Sequence, residues 1–302
     1  MRTPALSESS ACRVPTATTR IDRVEVEDYR RMSHEVWREM APGWERWRGQ
    51  LADALTPVRR WLIAELGAQP GETVLELGAG TGETGFEAAA MLGDGGRLIS
   101  SDFSPEMVEV ARRRGTELGL SNVDYRVIDA ERIELDADSV DGVLCQSTYM
   151  LVADPAAALA ETRRVLRPGG RLALSVWGPP ERNPWASIGG MILVERGHMP
   201  PPQPGAPGVF SLASEERTGA LLAGAGFSSV RMQEVPVRFA FPGLDDYERW
   251  VTDVAGPFAM VLRGLPEDER KVLRARLGEA FVPFSVDGGY ELPGIALCTV
   301  AS

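Results

Sequence analysis

The chain has 302 residues, 44% hydrophobic and 25% charged, which describes a globular fold with a full core in one or two domains. Its formal net charge of −11 argues against a nucleic-acid backbone as the main partner, because such binding rests on clustered Lys and Arg. Three cysteines (Cys12, Cys145, Cys298) and two histidines (His34, His198) show no CxxC pair and no metal-ligand spacing, so no metal centre is expected.

In chain order, residues 1–22 lack the apolar stretch of a secretory signal. Their Ser, Thr and Ala content, shared with transit peptides, reads here as a disordered tail. With few cysteines and no apolar run near the ~18 residues of a bilayer span, a cytoplasmic location is expected. Residues 23–67 read as N-terminal helices. Tyr29, Met32, Val36 and Met40 recur at helical spacing, Pro42-Gly43 interrupts, and Trp44, Trp47 and Leu51 form a second stripe. Val58, Trp61, Leu62 and Leu66 form a third, with Gly67 as C-cap.

A regular alternation follows. Strands are predicted at Thr73–Leu77, Arg97–Ser101, Val123–Ile128, Val140–Gln146 and Gly170–Trp177. Helices are predicted at Gly85–Leu92, Pro105–Leu118 (Ser104 as N-cap) and Pro155–Leu166, the last ending in "RPGG". The run Arg112–Arg114 reads as a solvated helix face. This order implies a doubly wound parallel sheet with helices on both faces, which binds ligands at the carboxyl ends of its strands. From 179 to 212, Pro and Gly dominate and a lid is expected. Then come a helix (Ser214–Ala225), a strand (Ser229–Phe241), two amphipathic helices (Asp245–Ala259, Glu267–Phe281) and a strand (Gly289–Val300).

The informative stretch is "VLELGAGTGETG", Val74–Gly85. A strand delivering a glycine turn to a helix N-terminus suits a charged, nucleotide-like ligand. Gly80–Gly85 is literally a GxGxxG, with Asp102 about 20 residues on to hold a ribose, so NAD(H) and S-adenosylmethionine both fit. Three features favour the second. The tight turn starts at Gly78, two residues before the literal motif. Glu76 at the strand end suits an amino group and repels a pyrophosphate. Asp129, after the third strand, can accept from an adenine amino group while the Ala130 N–H donates to the ring.

With "SSDFSPEMVEVA", "VIDAERI", "VDGVLCQSTYMLVADP" and "RVLRPGGRLALSVW", the span Val74–Trp177 resembles a class I S-adenosylmethionine-dependent methyltransferase, within it the ubiquinone/menaquinone-biosynthesis C-methyltransferase family. The resemblance implies a Rossmann-like α/β fold of seven strands, the last antiparallel. The domain would cover 23–302, with a cofactor core at 68–178 and a helical insertion at about 243–287. It places Glu76, Gly78, Ala79, Gly80 and Gly82 around the methionine part of the cofactor. Asp102 would take the ribose, Phe103 and Met107 would line the adenine pocket, and Asp129 and Ala130 would read the adenine edge. Cys145 and Gln146 would border the reacting methyl.

Transfer from a sulfonium is an in-line displacement, which requires positioning and exclusion of water rather than a metal or a covalent intermediate. A base is needed only if the acceptor loses a proton; His34, His198 and Tyr149 are the candidates. Cys145 has no neighbouring base in sequence to activate it, and arsenic methylation would require more cysteines. The expected acceptor is a small apolar or aromatic metabolite, methylated on C or O. It would be held by side chains such as Trp44, Trp47, Trp185, Met191, Phe210, Trp250, Phe258 and Met260, which alternatively are ordinary core. An NAD-dependent oxidoreductase and a non-catalytic cofactor-binding partner protein are the competing readings, and the protein is taken as a monomer or homodimer.

Overall fold

The computed structural model describes residues 23–302; the tail expected at 1–22, with Cys12, lies outside them. Helix α1 (Arg23–Leu66) leads into β1 (Thr73–Leu77), α2 (Glu83–Leu92), β2 (Arg97–Asp102), α3 (Pro105–Glu117), β3 (Val123–Val127) and β4 (Val140–Gln146). Then follow α4 (Pro155–Val165), β5 (Leu166–Trp177), α5 (Pro184–Glu195), α6 (Glu215–Gly224) and β6 (Val230–Phe241). The chain closes with α7 (Leu244–Val254), α8 (Pro257–Gly264), α9 (Glu267–Phe281), the two-residue β7 (Ser285–Val286) and β8 (Gly289–Ala301).

The sheet order is β3-β2-β1-β4-β5-β8-β6, with β7 attached to β8. Strands β3, β2, β1, β4 and β5 pair in parallel, and β8 runs antiparallel between β5 and β6. The seven-stranded Rossmann-like sheet expected from the sequence is therefore present. Central strands such as β1 are apolar and buried on both faces because helices cover both. Strand boundaries follow the sequence closely. Ser104 accepts from the Met107 N–H as the N-cap of α3, and Asp154 caps α4 through the Ala156 and Ala157 N–H groups.

Three local expectations are corrected. Pro42-Gly43 does not break α1, which runs on through Pro42 and Pro57. Packing outweighs the lost hydrogen bond there: Met40 and Ala41 are buried, and Gly43 lies against the backbone of Asp253 in α7. "RPGG" belongs to β5, where pairing with β4 jumps from Val140↔Leu166 to Gly142↔Arg171 across a bulge. The segment 179–212 contains α5, started by Pro184 at its first turn, in line with the helical lid insertions expected of the fold. The helix expected at Asp245–Ala259 is split at Gly256, whose φ of 56° ends α7 before Pro257 opens α8. Among the described residues no helix is long and apolar enough to cross a membrane.

Candidate active site

The turn after β1 carries Gly78, Gly80 and Gly82 at φ of 65°, 56° and 92°, a region glycine adopts without strain. Side chains would also collide there: a Cβ on Gly78 would stand 2.1 Å from Thr148 Oγ1, and one on Gly82 2.3 Å from the Phe86 ring. Gly82 is the N-cap of α2, and Ala79 N–H donates to the Ser101 carbonyl at 2.8 Å. The turn thus lies between the ends of β2 and β4.

Gly85, the third glycine of the literal GxGxxG, is inside α2. A Cβ on it would stand 2.1 Å from Glu76 Oε2, so this glycine makes room for Glu76 and not for a pyrophosphate. The Glu76 carboxyl is buried under the turn. Its Oε1 accepts the Gly85 N–H at 2.7 Å and its Oε2 accepts from Ser100 Oγ at 3.2 Å. It therefore satisfies an orphan donor in the first turn of α2 from a neighbouring strand. Burial pushes this carboxyl up to about 8, against the pull of those two bonds.

Asp102, at the end of β2, is also buried. Oδ1 accepts the Ser104 N–H at 3.0 Å and Oδ2 accepts the Gly80 N–H at 3.1 Å, so one carboxylate ties the glycine turn to the start of α3. Burial pushes it up to about 6, while bonds from Ser104, Gly80 and Phe103 and the nearby His34 pull it down. Two carboxylate oxygens offer about four acceptor positions, so these three bonds leave room for one more donor. Asp129 accepts the Glu131 N–H at 2.9 Å in the loop after β3, beside the buried Ala130.

Helix α1 crosses these loops. Trp44 lies over the glycine turn, 3.8 Å from a Cβ built on Gly80, and donates from Nε1 to the Val254 carbonyl at 3.1 Å. The His34 ring sits 4.4 Å from the Phe103 ring after β2. Arg30 pairs with Glu131 after β3, and Tyr29 donates to the Leu151 carbonyl at 2.7 Å after β4. Met107 is buried beneath α1 with Ala41, Trp37 and Trp44.

Several candidates are not where they were expected. Tyr149 is fully buried, with its hydroxyl 2.6 Å from Thr162 Oγ1 in α4, and burial raises its phenol well above the ordinary value. Cys145 faces the same way: β4 alternates, so Leu144 and Gln146 turn to the α2 side while Cys145 turns to the α4 side. Its thiol is buried, bonded to Tyr149 and Thr148, and pushed up to about 12 by burial, which leaves it unsuited to act as a nucleophile. Gln146 does face the turn, accepting from Thr84 Oγ1 at 3.0 Å. His34 stands beside the loop after β2, separated by β1 from β4. His198 pairs with Glu269 at 2.9 Å and ties the loop after α5 to α9.

Of the expected acceptor side chains, Trp185 and Trp250 are core, packed with Trp177, Phe239 and Tyr247. Met191 and Met260 are exposed, and Phe210 packs on the main core. Trp47 and Phe258 line a groove of about 920 Å³ between α1, α7, α8 and α9. Residues missed in the sequence are Thr148, packed on Gly78; Glu131, inside the quoted "VIDAERI"; and Ser147, whose φ of 58° marks a sharp turn after β4. The charged neighbour of Asp129 was the available signal for Glu131.

This sheet order, with a glycine turn after β1 and buried acids at the ends of β1 and β2, is similar to that of class I S-adenosylmethionine-dependent methyltransferases. Residues 68–180 match the family described as "Methyltransferase domain". The chain is 38% identical over 179 residues to an uncharacterised 37.1 kDa transposon protein of Streptomyces fradiae, covering 59% of this chain and 49% of that one. It is 31% identical over 126 residues to a ubiquinone/menaquinone biosynthesis C-methyltransferase of Teredinibacter turnerae, covering 41% of this chain and 51% of the relative. The chain thus spans about half the length of these curated relatives. Among solved structures it shares the fold of the YcgJ protein of Bacillus subtilis, with a TM-score of 0.56 at 21% identity, over 80% of this chain and 96% of that one.

Proposed function

We propose that this protein transfers a methyl group from S-adenosylmethionine to a carbon or oxygen nucleophile of a small apolar or aromatic metabolite by in-line displacement. The observation that carries the reading is the joined unit of left-handed glycine turn, Asp102 and α2 at the carboxyl end of β1 and β2. The open acceptor position of Asp102 suits a ribose hydroxyl, and the side-chain-free turn suits close approach of the methionine part along Gly78, Ala79, Gly80 and Gly82. Asp129 and Ala130 would read the adenine edge, and Phe103 would lie against the ring. Glu76 acts from beneath, holding α2 in place through the Gly85 N–H. Gln146 borders the turn from β4.

When bound, the cofactor supplies an electrophilic methyl on a sulfonium, a leaving group that needs no acid. The chain's contribution is then orientation and exclusion of water. Helix α1 performs the second, because it touches the loops after β1, β2, β3 and β4. The acceptor reading is supported by the groove lined by Trp47, Tyr247, Phe258 and Leu262, a turn of α1 beyond Trp44. The Teredinibacter relative's name points to quinone biosynthesis, in keeping with an aromatic acceptor.

The dinucleotide alternative is disfavoured because Glu76 occupies the Gly85 N–H at the N-terminus where a pyrophosphate would lie. Calorimetric titration tests the choice. S-adenosylmethionine and S-adenosylhomocysteine are expected to bind and NADH is not. Micromolar NADH binding without S-adenosylmethionine binding would reverse the conclusion. Turnover of an acceptor would set aside a purely binding role.

A further inference from the structure

Helix α1 has two unlike halves. From Leu51 to Leu66 it is anchored in the main core through Leu51, Leu55, Val58, Leu62, Ile63 and Leu66. Before Pro42 its buried hydrophobic side chains, among the described residues, are Val36, Met40 and Ala41, in two small separate clusters. The halves meet at Pro42-Gly43, where proline removes a helical hydrogen bond. The weakly held half is the one lying over the candidate cofactor site.

What ties it down is centred on Glu131, whose side chain is 5% exposed. Its backbone N–H donates to Asp129 Oδ1 at 2.9 Å, its Oε1 accepts the Ala153 N–H at 2.8 Å, and its Oε2 accepts from Arg30 Nη2. One carboxylate therefore joins the loop after β3, the loop after β4 and α1. The Arg30 side is less secure. Nη1 pairs with Glu27 at 2.6 Å on the surface, and among the described residues the buried Nε has no partner. A third of the Arg30 side chain is exposed, so opening the pair returns its guanidinium to water, while Glu131 keeps the Ala153 N–H.

We propose that Glu131 is a positioning residue that latches the first half of α1 over the cofactor site, and that this half lifts about Pro42-Gly43 to exchange cofactor and product. The proposal rests on the cofactor reading above. Because Asp129 orients Glu131, a ligand seated on Asp129 tightens the latch, and the roof closes on a loaded site. Trp44 and Gly80 then stay in contact while the segment from Tyr29 to Met40 moves.

The test compares the wild type with Glu131→Gln, which keeps an acceptor for Ala153 but loses the ion pair. Arg30→Ala and Arg30→Lys are made in parallel. Amide hydrogen exchange of the ligand-free protein is expected to rise about tenfold over residues 29–41 in Glu131→Gln and Arg30→Ala, with residues 51–66 unchanged and Arg30→Lys intermediate. Release of S-adenosylhomocysteine, followed by tryptophan fluorescence, is expected to accelerate by a similar factor. If exchange over 29–41 stays at the wild-type level in Arg30→Ala and Glu131→Gln, the latch is wrong. If both segments loosen together, Glu131 is a structural residue and the proposal is again lost. Absence of any S-adenosylhomocysteine binding by the wild type would instead overturn the cofactor reading, and the ligand-free exchange would still judge the latch.

Discussion

At the scale of residues, the two buried acids set the sharpest expectations. Asp102→Ala removes a carboxylate that ties Gly80 to Ser104, so S-adenosylmethionine binding should weaken by about 1–3 kcal/mol. Calorimetry checks this, and unchanged affinity in a folded variant would remove Asp102 from the ribose role. Burial holds Glu76 near 8 and Asp102 near 6, both above their ordinary values of 4.5 and 3.8. A carboxyl raised in the folded state contributes stability that is complete below its unfolded value and lost as pH rises through its folded value. Stability should therefore fall between about pH 5 and 8.5. Glu76→Gln should gain on the wild type over that window in urea midpoints, and a constant gap would contradict the assignment. The acids were legible because a strand end followed by a glycine turn leaves few places for a carboxyl to go. Tyr149 and Cys145 were misread because nearness in sequence to the end of β4 does not say which face a side chain takes. Counting the alternation from Gln146 would have sent Cys145 to α4.

At the scale of elements, α1 offers a matched pair of glycines. A Cβ on Gly43 would stand 2.1 Å from the Asp253 carbonyl oxygen, so Gly43→Ala should push α1 off α7 and cost about 1–3 kcal/mol. Gly49, exposed in the same helix with nothing within 4 Å, should gain about 0.5–1 kcal/mol as Gly49→Ala. Denaturant melts of the two variants decide the matter, and similar effects would contradict the packing described. The continuity of α1 was not legible, since Pro42-Gly43 carries a strong local break signal and its compensation comes from α7, some 200 residues away. The split at Gly256-Pro257 had a local signal of the same kind, and there the local signal prevails because that turn bends the chain from α7 into α8.

At the scale of the whole molecule, the sheet order was legible from the rhythm of strands and helices, together with the resemblance that supplied the antiparallel end. The groove among α1, α7, α8 and α9 was not, because it depends on how distant helices dock. The net charge of −11 should favour a cationic cofactor over a neutral one. Affinity for S-adenosylmethionine should fall several-fold from low salt to about 0.3 M, while that for S-adenosylhomocysteine, a zwitterion of zero net charge, stays within about twofold. Parallel titrations at both salt levels would show it, and equal slopes would exclude long-range attraction. The position of β8 carries a further consequence. Among the described residues its partner β6 is paired in the sheet only to β8, from Val230↔Ala301 to Phe241↔Tyr290. On the ribosome, β6 and α7 to α9 therefore emerge before their sheet neighbour exists. The parallel half can assemble while translation proceeds, whereas the antiparallel half must wait with a twelve-residue strand unpaired. That interval is where a chaperone would be most needed and where aggregation would begin.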